Sequence, residues 1–401
     1  MAKSKVSIVK TNSKPDGQAI RRAVQRAFEL IGGIEDLIKP GMKVLLNPSW
    51  VAPPTEPEKG VITQPEVTEA VAEIVRDLGA QVFIAESSAV GVDTEKVIQG
   101  SGYRLLREKG YEVVDLKKAK TVKMPVPLGG KVFPEVEVFL PVKEADVIIS
   151  IPKLKTHDQT EITCAIKKLK GLLSDTYKRR MHQEGLFEGV VDLMAAVKPR
   201  LAIVDAIICQ EGLGPVFGKP LEMDLILAGR DLVAVDAICS RITGYEPEDV
   251  LLTINASERG LGNYRSEQIE VIGEPVKSVR RRFLRSTEDD PVQVEGFNLI
   301  FGGVTCTGCR NTVMSALADM RNADQLMYLP GVTVVTGDPQ MPPFVDMEKI
   351  VAVGKCVPQS KQGKNYVKGC PPNNAYVVQA IIGDRGKAKR MYAEGDLESE
   401  K

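Results

Sequence analysis

Four cysteines near the C-terminus carry the clearest chemistry in the sequence. Cys306 and Cys309 share the motif Cys306-Thr307-Gly308-Cys309, Cys356 follows Gly354-Lys355, and Cys370 lies in Gly369-Cys370-Pro371-Pro372. Strand-like runs at 298–304, from 350 onward and at 366–368 lead into these motifs, so the thiols sit on loops at strand ends. Four thiolates converging from loops can hold a soft metal centre, either a [4Fe–4S] cluster or zinc. Structural zinc usually pairs two short ligand motifs. This chain has one such motif followed by two isolated cysteines, which favours iron–sulfur.

The order CTGC, GxC, GCPP resembles the proximal-cluster domain of nickel–iron hydrogenase small subunits and the related complex I cluster subunit. The resemblance covers roughly 296–385. It implies a flavodoxin-like domain in which Cys306, Cys309, Cys356 and Cys370 bind one [4Fe–4S] cluster. This stretch is short, and the further cluster motifs of the hydrogenase subunit are missing.

A second set of reactive residues follows a buried strand at 145–151. It reads Pro152-Lys153-Leu154-Lys155-Thr156-His157-Asp158-Gln159-Thr160 and continues through Thr163 to Lys167. Lysines and hydroxyls at a helix start suit a carboxylate or phosphate, although a solvated basic loop would have the same composition. A helix from Glu161 would place Thr163 and Lys167 on one face. Lys155, Thr156, Thr160, Thr163 and Lys167 are the candidate substrate contacts. His157, whose ordinary pKa lies near neutrality, is the candidate proton carrier, with Lys153 beside it. His182 follows Arg179-Arg180 in a charged stretch and reads as a surface residue.

Carboxylates complete the inventory. Asp205 ends a predicted strand at 201–204, Glu211 opens the loop Glu211-Gly212-Leu213-Gly214-Pro215, and Asp236 interrupts an apolar helix at 232–243. A buried carboxylate must be paired or put to use. The three are therefore candidates for acid–base work, for a divalent cation, or for structural hydrogen bonding.

These residues need a scaffold of strand ends. Strands are predicted at 6–9, 42–46, 81–85, 111–115, 201–204 and 221–228, with helices at 18–30 and 65–78 and a hairpin over 121–140 around Gly129-Gly130. Thr63 and Glu66 form a predicted capping box, and Trp50 is expected to cover a core edge. Alternating strands and helices predict a mostly parallel α/β sheet with helices on both faces, followed by a smaller C-terminal α/β domain. The expected division is a large domain over 1–275, a linker over 276–295 with Arg280-Arg281-Arg282 solvated, the cysteine domain over 296–390 and a charged tail over 391–401.

The order Asn47-Pro48-Ser49-Trp50, Gln64-Pro65-Glu66-Val67, the His157 segment, Val204-Asp205-Ala206-Ile207, Glu211-Gly212-Leu213-Gly214-Pro215 and Asp231-Leu232-Val233-Ala234-Val235-Asp236 also resembles a prokaryotic family. It is similar to domain of unknown function 362 over roughly 40–245. That family often carries iron–sulfur modules, and its name supplies no reaction. Lys168 stands where the family pattern has asparagine.

Composition narrows the function classes. Fifty-three basic against 53 acidic residues gives zero formal charge, so no nucleic-acid or membrane surface is indicated. No apolar run is long enough to span a bilayer and no signal segment is visible. Seven cysteines, four of them in a cluster pattern, fit a reducing, cytoplasmic compartment. No GxGxxG follows the early strands, so a dinucleotide is not indicated. The leading expectation is an iron–sulfur oxidoreductase acting on a small anionic substrate and exchanging electrons with a ferredoxin-like partner. The alternatives are an electron-transfer or accessory protein, and a non-redox isomerase or racemase using His157 and Lys153 beside a structural cluster.

Overall fold

In the computed structural model the described residues are 3–127, 129–286, 288, 292–341 and 346–389. The expected charged tail at 391–401, and Asp289 and Asp290 of the linker, lie outside them.

Among the described residues twelve strands precede the cysteine region: β1 (Ser4–Lys10), β2 (Lys43–Pro48), β3 (Gln81–Glu86), β4 (Glu112–Asp115), β5 (Thr121–Pro125), β6 (Glu135–Phe139), β7 (Val147–Ile151), β8 (Lys153–His157), β9 (Glu161–Thr163), β10 (Leu201–Glu211), β11 (Lys219–Gly229) and β12 (Ile269–Gly273). The main sheet has the order β12-β1-β11-β10-β7-β2-β3-β4, with β8 paired to β10 and β9 to β8. Only the β1·β11, β10·β11 and β8·β9 pairs are antiparallel. β5 and β6 form the separate hairpin expected around Gly129-Gly130.

Successive residues of one strand enter opposite cores, as the pleat requires. Val44 and Leu46 pack with the helices Gly17–Leu30 and Pro65–Asp77, whereas Leu45 joins the other core with the helices Leu186–Val197 and Leu232–Thr243. Both faces are therefore buried, which is why β2 and β7 read as unbroken apolar runs. Trp50 is fully buried and packs edge-on to Tyr103 at 4.8 Å between ring centres, as expected of a core residue.

Several local expectations change. Glu161–Thr163 is a strand, because it pairs back on β8 with Lys155 opposite Thr163 and His157 opposite Glu161. The helix that follows is confined to Ala165–Lys168. Asp205 lies within β10 rather than at a strand end. Thr63 does not cap the helix Pro65–Asp77; its hydroxyl donates to Ile151 O at 2.7 Å and accepts from Ser49 N–H. The N–H of Gln64, the N-cap, is taken by the Asp205 carboxylate at 2.7 Å. The basic linker is not wholly solvated: Phe283 is buried, and Arg281 and Phe283 donate backbone N–H groups to Ile242 and Thr243 carbonyls.

The C-terminal region forms a second sheet of β13 (Asn298–Phe301), β14 (Thr333–Thr336), β15 (Ile350–Val353) and β16 (Asn365–Val367), all parallel and in that order. The helices Thr307–Asn322 and Asn374–Ile382 share one of its cores. This is the expected small α/β unit, but its sequential strand order departs from the 2-1-3-4-5 order of a flavodoxin-like sheet.

Candidate functional site

β2, β3 and β7 end on the same side of the sheet, where open parallel sheets leave a crevice. After Pro152 the chain continues as β8, pairing with the distal part of β10 at Asp205↔Lys153 and Gln210↔Lys155. Alternation along β8 separates its side chains into two roles. Lys155 and His157 line a cavity of about 160 Å³, joined by Thr163 from the register opposite Lys155. Thr156 faces elsewhere and donates its hydroxyl to the Gly212 carbonyl at 2.8 Å.

Further lining comes from Ser49, Glu86, Ser87 and Ser88 at the strand ends, from Lys167, Lys168 and Lys170, and from Lys178 and His182 on the helix Asp175–Glu184. The small C-terminal unit closes the far side with Asp319, Asn373, Asn374 and Lys389. Six lysines thus face three carboxylates, Glu86, Asp158 and Asp319, so the cavity favours an anion.

The closure rests on buried polar contacts. Gln159 donates to Thr312 Oγ1 at 2.8 Å and to the Pro372 carbonyl at 2.9 Å. Asn311 donates to Glu161 at 3.0 Å, and Ser315 to Asp158 Oδ2 at 2.8 Å. Cys370 N–H donates to the His182 carbonyl at 2.9 Å, and Leu186 N–H returns to the Cys370 carbonyl at 2.7 Å.

Most of the cavity amines are already tied. Lys155 donates to Val61 and Pro215 carbonyls at 2.6 and 3.0 Å. Lys168 forms a short buried ion pair with Glu86 and donates to Asn47 Oδ1 at 2.9 Å. Where the family pattern has asparagine, this chain therefore places a lysine that makes its own polar contacts. Lys178 holds the strand-end turn through the Ser87 hydroxyl and the Ser87 and Ser88 carbonyls at 2.7, 3.0 and 2.5 Å. The Lys170 amine lies 2.7 Å from His182 Nε2.

Burial depresses these amines, because charge is costly away from water. It pulls Lys167 down to about 8 and Lys178 to about 7, and takes Lys155 and Lys170 well below the lysine range. Burial, reinforced by the Lys167 charge, lowers His157 to about 4, so its imidazole is neutral at physiological pH. His157 Nδ1 lies 2.7 Å from Asp158 Oδ1 and 3.0 Å from Gln159 N–H. Asp158 is held below the usual carboxylate range by His157 and Ser315, against its burial. Nδ1 is thus engaged from two sides, the Asp158 carboxylate favouring a proton there and the Gln159 N–H favouring its lone pair, while Nε2 has no hydrogen-bond partner among the described residues and is the ring nitrogen left for a ligand.

Other residues expected to act lie outside the cavity. Lys153 and Asp205 are both fully buried and form an ion pair at 2.6 Å. Glu211 accepts from Leu284 N–H at 2.8 Å. Thr160 turns its hydroxyl to the Ile162 carbonyl at 3.1 Å. Asp236 accepts from Ala165 and Ile166 N–H at 2.7 and 3.2 Å, and burial raises it to about 7. Asp205, Glu211 and Asp236 thus have separate partners, and the structure does not gather them into the cation site that their residue types suggested.

His182, read from sequence as exposed, is 8% exposed and lines the cavity. Lys178, Lys170, Glu86 and Asp158 were also missed. The i, i+4 spacing of Lys178 and His182 was the available signal, hidden within a run of charge.

Among the described residues no three His, Cys, Asp or Glu side chains stand ready to hold a metal ion. The four C-terminal cysteines nevertheless lie near enough to influence one another. The Cys306 and Cys309 thiols are hydrogen-bonded, and the charges of Cys356 and Cys370 reach Cys309. That thiol contact, with N–H groups of Gly308 and Cys309 at the helix start, lowers Cys306 to about 6. Cys164, Cys209 and Cys239 are buried in the large domain. The donor chemistry of the C-terminal four fits a soft metal or cluster that draws the thiolates together.

The fold and site define an α/β protein with a lysine-rich cavity roofed by a cysteine-bearing unit. The chain belongs to the family described as Domain of unknown function (DUF362), whose profile matches residues 44–241. It is 31% identical over 266 residues to a thylakoid-associated protein, sll1697, of Synechocystis sp.; the match spans 65% of this chain and 80% of that relative. Among solved structures it is similar to the lactate racemase apoprotein from Thermoanaerobacterium thermosaccharolyticum, with a TM-score of 0.40 and 12% identity over 96% of this chain and 92% of that one. A likeness at that level carries no inference about the reaction. No helix among the described residues is long and apolar enough to cross a membrane.

Proposed function

We propose that the protein is an iron–sulfur oxidoreductase acting on a small anionic substrate held in the lysine-lined cavity. The observation that carries this reading is the shared wall between the cysteines and the cavity. The loop bearing Cys370 is hydrogen-bonded in both directions to the helix region that supplies His182. Cys306, Cys309, Cys356 and Cys370 would hold one [4Fe–4S] cluster, which when bound supplies electrons singly to or from a ferredoxin-like partner. The exposed position of Cys356 suits such an encounter.

The chain's own residues bind and position the substrate. Lys167 and Lys170 attract the anion, Thr163 offers its hydroxyl, and His157 Nε2 takes or returns a proton while Asp158 holds the ring. The roof formed by Asn373, Asn374 and Lys389 limits water access.

The His157–Asp158 pair beside Lys167 also supports a second reading, a non-redox isomerase with a structural cluster. Lys153 cannot serve as the second base in it, because that amine is fully buried in its pair with Asp205.

Iron and acid-labile sulfide analysis with EPR, on anaerobically purified protein, separates the two readings. Close to four irons per chain, and a reduced signal that shifts when a substrate anion binds, supports the oxidoreductase. A cluster indifferent to every bound anion favours the isomerase, and zinc without iron removes the redox reading.

A further inference from the structure

Among the described residues the cavity has one amine without a partner, in a wall that ties its neighbours, Lys389 included through the Ala323 carbonyl at 3.2 Å. Lys155, Lys168, Lys170 and Lys178 each have a carbonyl, carboxylate, amide, hydroxyl or imidazole partner within 3.0 Å. Lys167 has no hydrogen-bond or ion-pair partner among the described residues, although it lies on the same cavity. Its position is fixed from behind, since Asp236 accepts the N–H groups of Ala165 and Ile166 at the start of its short helix. Thr163 is 4% exposed, also lines the cavity, and its hydroxyl has no partner among the described residues. A buried hydroxyl left unpaired is costly unless a ligand completes it.

We propose that Lys167 is a nucleophile that forms an imine with the carbonyl carbon of a small 2-oxo acid bound in this cavity. The inference rests on the reading that the cavity receives an anionic substrate, and not on the cluster. A cavity of about 160 Å³ admits a compound of a few carbon atoms rather than a nucleotide. The substrate carboxylate meets Thr163 Oγ1 and the Lys170 amine, and the carbonyl faces Lys167.

The chemistry balances without an added oxidant or reductant. The neutral amine attacks the carbonyl carbon, the new C–N bond forms, and the carbonyl oxygen leaves as water. His157 Nε2 accepts in turn the two protons shed by nitrogen, one on addition and one on dehydration, and passes each to the departing oxygen, so that the amine yields a neutral imine and one water. Desolvation and the neighbouring Lys168 charge hold part of the Lys167 population in the neutral, reactive form at physiological pH.

The test is reductive trapping on the full-length, cluster-loaded protein. Pyruvate, glyoxylate and 2-oxoglutarate are each added with cyanoborohydride, followed by intact-mass measurement and peptide mapping. The expected result is one adduct per chain, heavier than the protein by the oxo acid less one oxygen atom, and mapped to Lys167. Lys167→Arg should abolish it while leaving the thermal midpoint and iron content unchanged. Because mapping on the unaltered protein identifies the modified lysine, the result stands even if the variant misfolds. Adducts scattered over exposed lysines, or none with all three acids, would overturn the imine. A thermal shift with the same acids then separates the two failures: stabilisation without an adduct leaves the anion cavity standing, and no stabilisation removes that as well.

Discussion

Cys370 and His182 are joined through their backbones, the Cys370 N–H donating to the His182 carbonyl at 2.9 Å. One residue belongs to the thiol set and the other lines the cavity, so ordering the first must restrain the second. Replacing any one of Cys306, Cys309, Cys356 or Cys370 with alanine is expected to remove most bound iron and labile sulfide. Cys164→Ala, Cys209→Ala and Cys239→Ala should leave both unchanged, since those thiols are buried in the large domain. Loss of the cluster should also speed proteolysis near 175–186, where the cysteine loop is anchored. Equal metal loss in both groups would sink the ligand assignment.

Lys153 and Asp205 form a different kind of relationship, a fully buried ion pair that also receives the Gln64 N–H. Removing one partner strands a charge in the interior, typically at a cost of about 3–5 kcal/mol. Asp205→Ala should therefore lower stability in urea by about that amount, and Lys153→Met together with Asp205→Leu should recover much of it. Neither change should alter the affinity of the folded protein for a cavity anion by more than about twofold, because these side chains do not line the cavity. A large affinity loss in the folded double variant would restore them to the site.

The sequence's strong periodicities led directly to the two α/β units. The apolar runs of β2 and β7 were legible because both sheet faces are covered, and 121–140 was legible as a hairpin. The helix expected from Glu161 failed because β8 captures Glu161–Thr163 by pairing, a long-range cause that local propensity does not register. The same pairing is what brings Thr163 beside Lys155. Residue type alone could not distinguish Lys153 from Lys155, which share a face of β8: Lys153 meets the Asp205 carboxylate of the neighbouring strand, and Lys155, one step further along, reaches the cavity. His182 looked exposed within its charged run because the C-terminal unit that buries its helix lies far away in sequence.

Asp236 touches no substrate, yet it should influence binding. Its carboxylate accepts both leading N–H groups of the four-residue helix that presents Lys167 and Lys168. Asp236→Ala leaves those donors unsatisfied in the core, at a cost of about 1–3 kcal/mol. It should also weaken anion affinity several-fold by loosening the helix. Asp236→Asn, which retains one acceptor oxygen, should lie between the two. Calorimetric titration beside urea unfolding checks both readouts, and unchanged affinity in Asp236→Ala would limit the carboxylate to a stabilising role.

The depressed lysines give stability and binding opposite responses to pH. Lys167 and Lys178 have folded values near 8 and 7, below the ordinary 10.5, so between those limits the unfolded chain binds more protons. Stability of the free protein must then rise as pH increases from about 7 toward 10 and decline as pH falls through the same window. An anion reverses the preference because it binds the charged amines, so its stabilising effect should be largest near pH 6.5 and fade as pH passes 8. Thermal midpoints measured with and without phosphate from pH 6.5 to 9.5 should converge toward the alkaline end. Lys167→Met should flatten the phosphate-dependent part of that curve and leave most of the Lys178 contribution to the free protein. A phosphate effect that stays constant across the range in both proteins would show that these amines do not bind the anion.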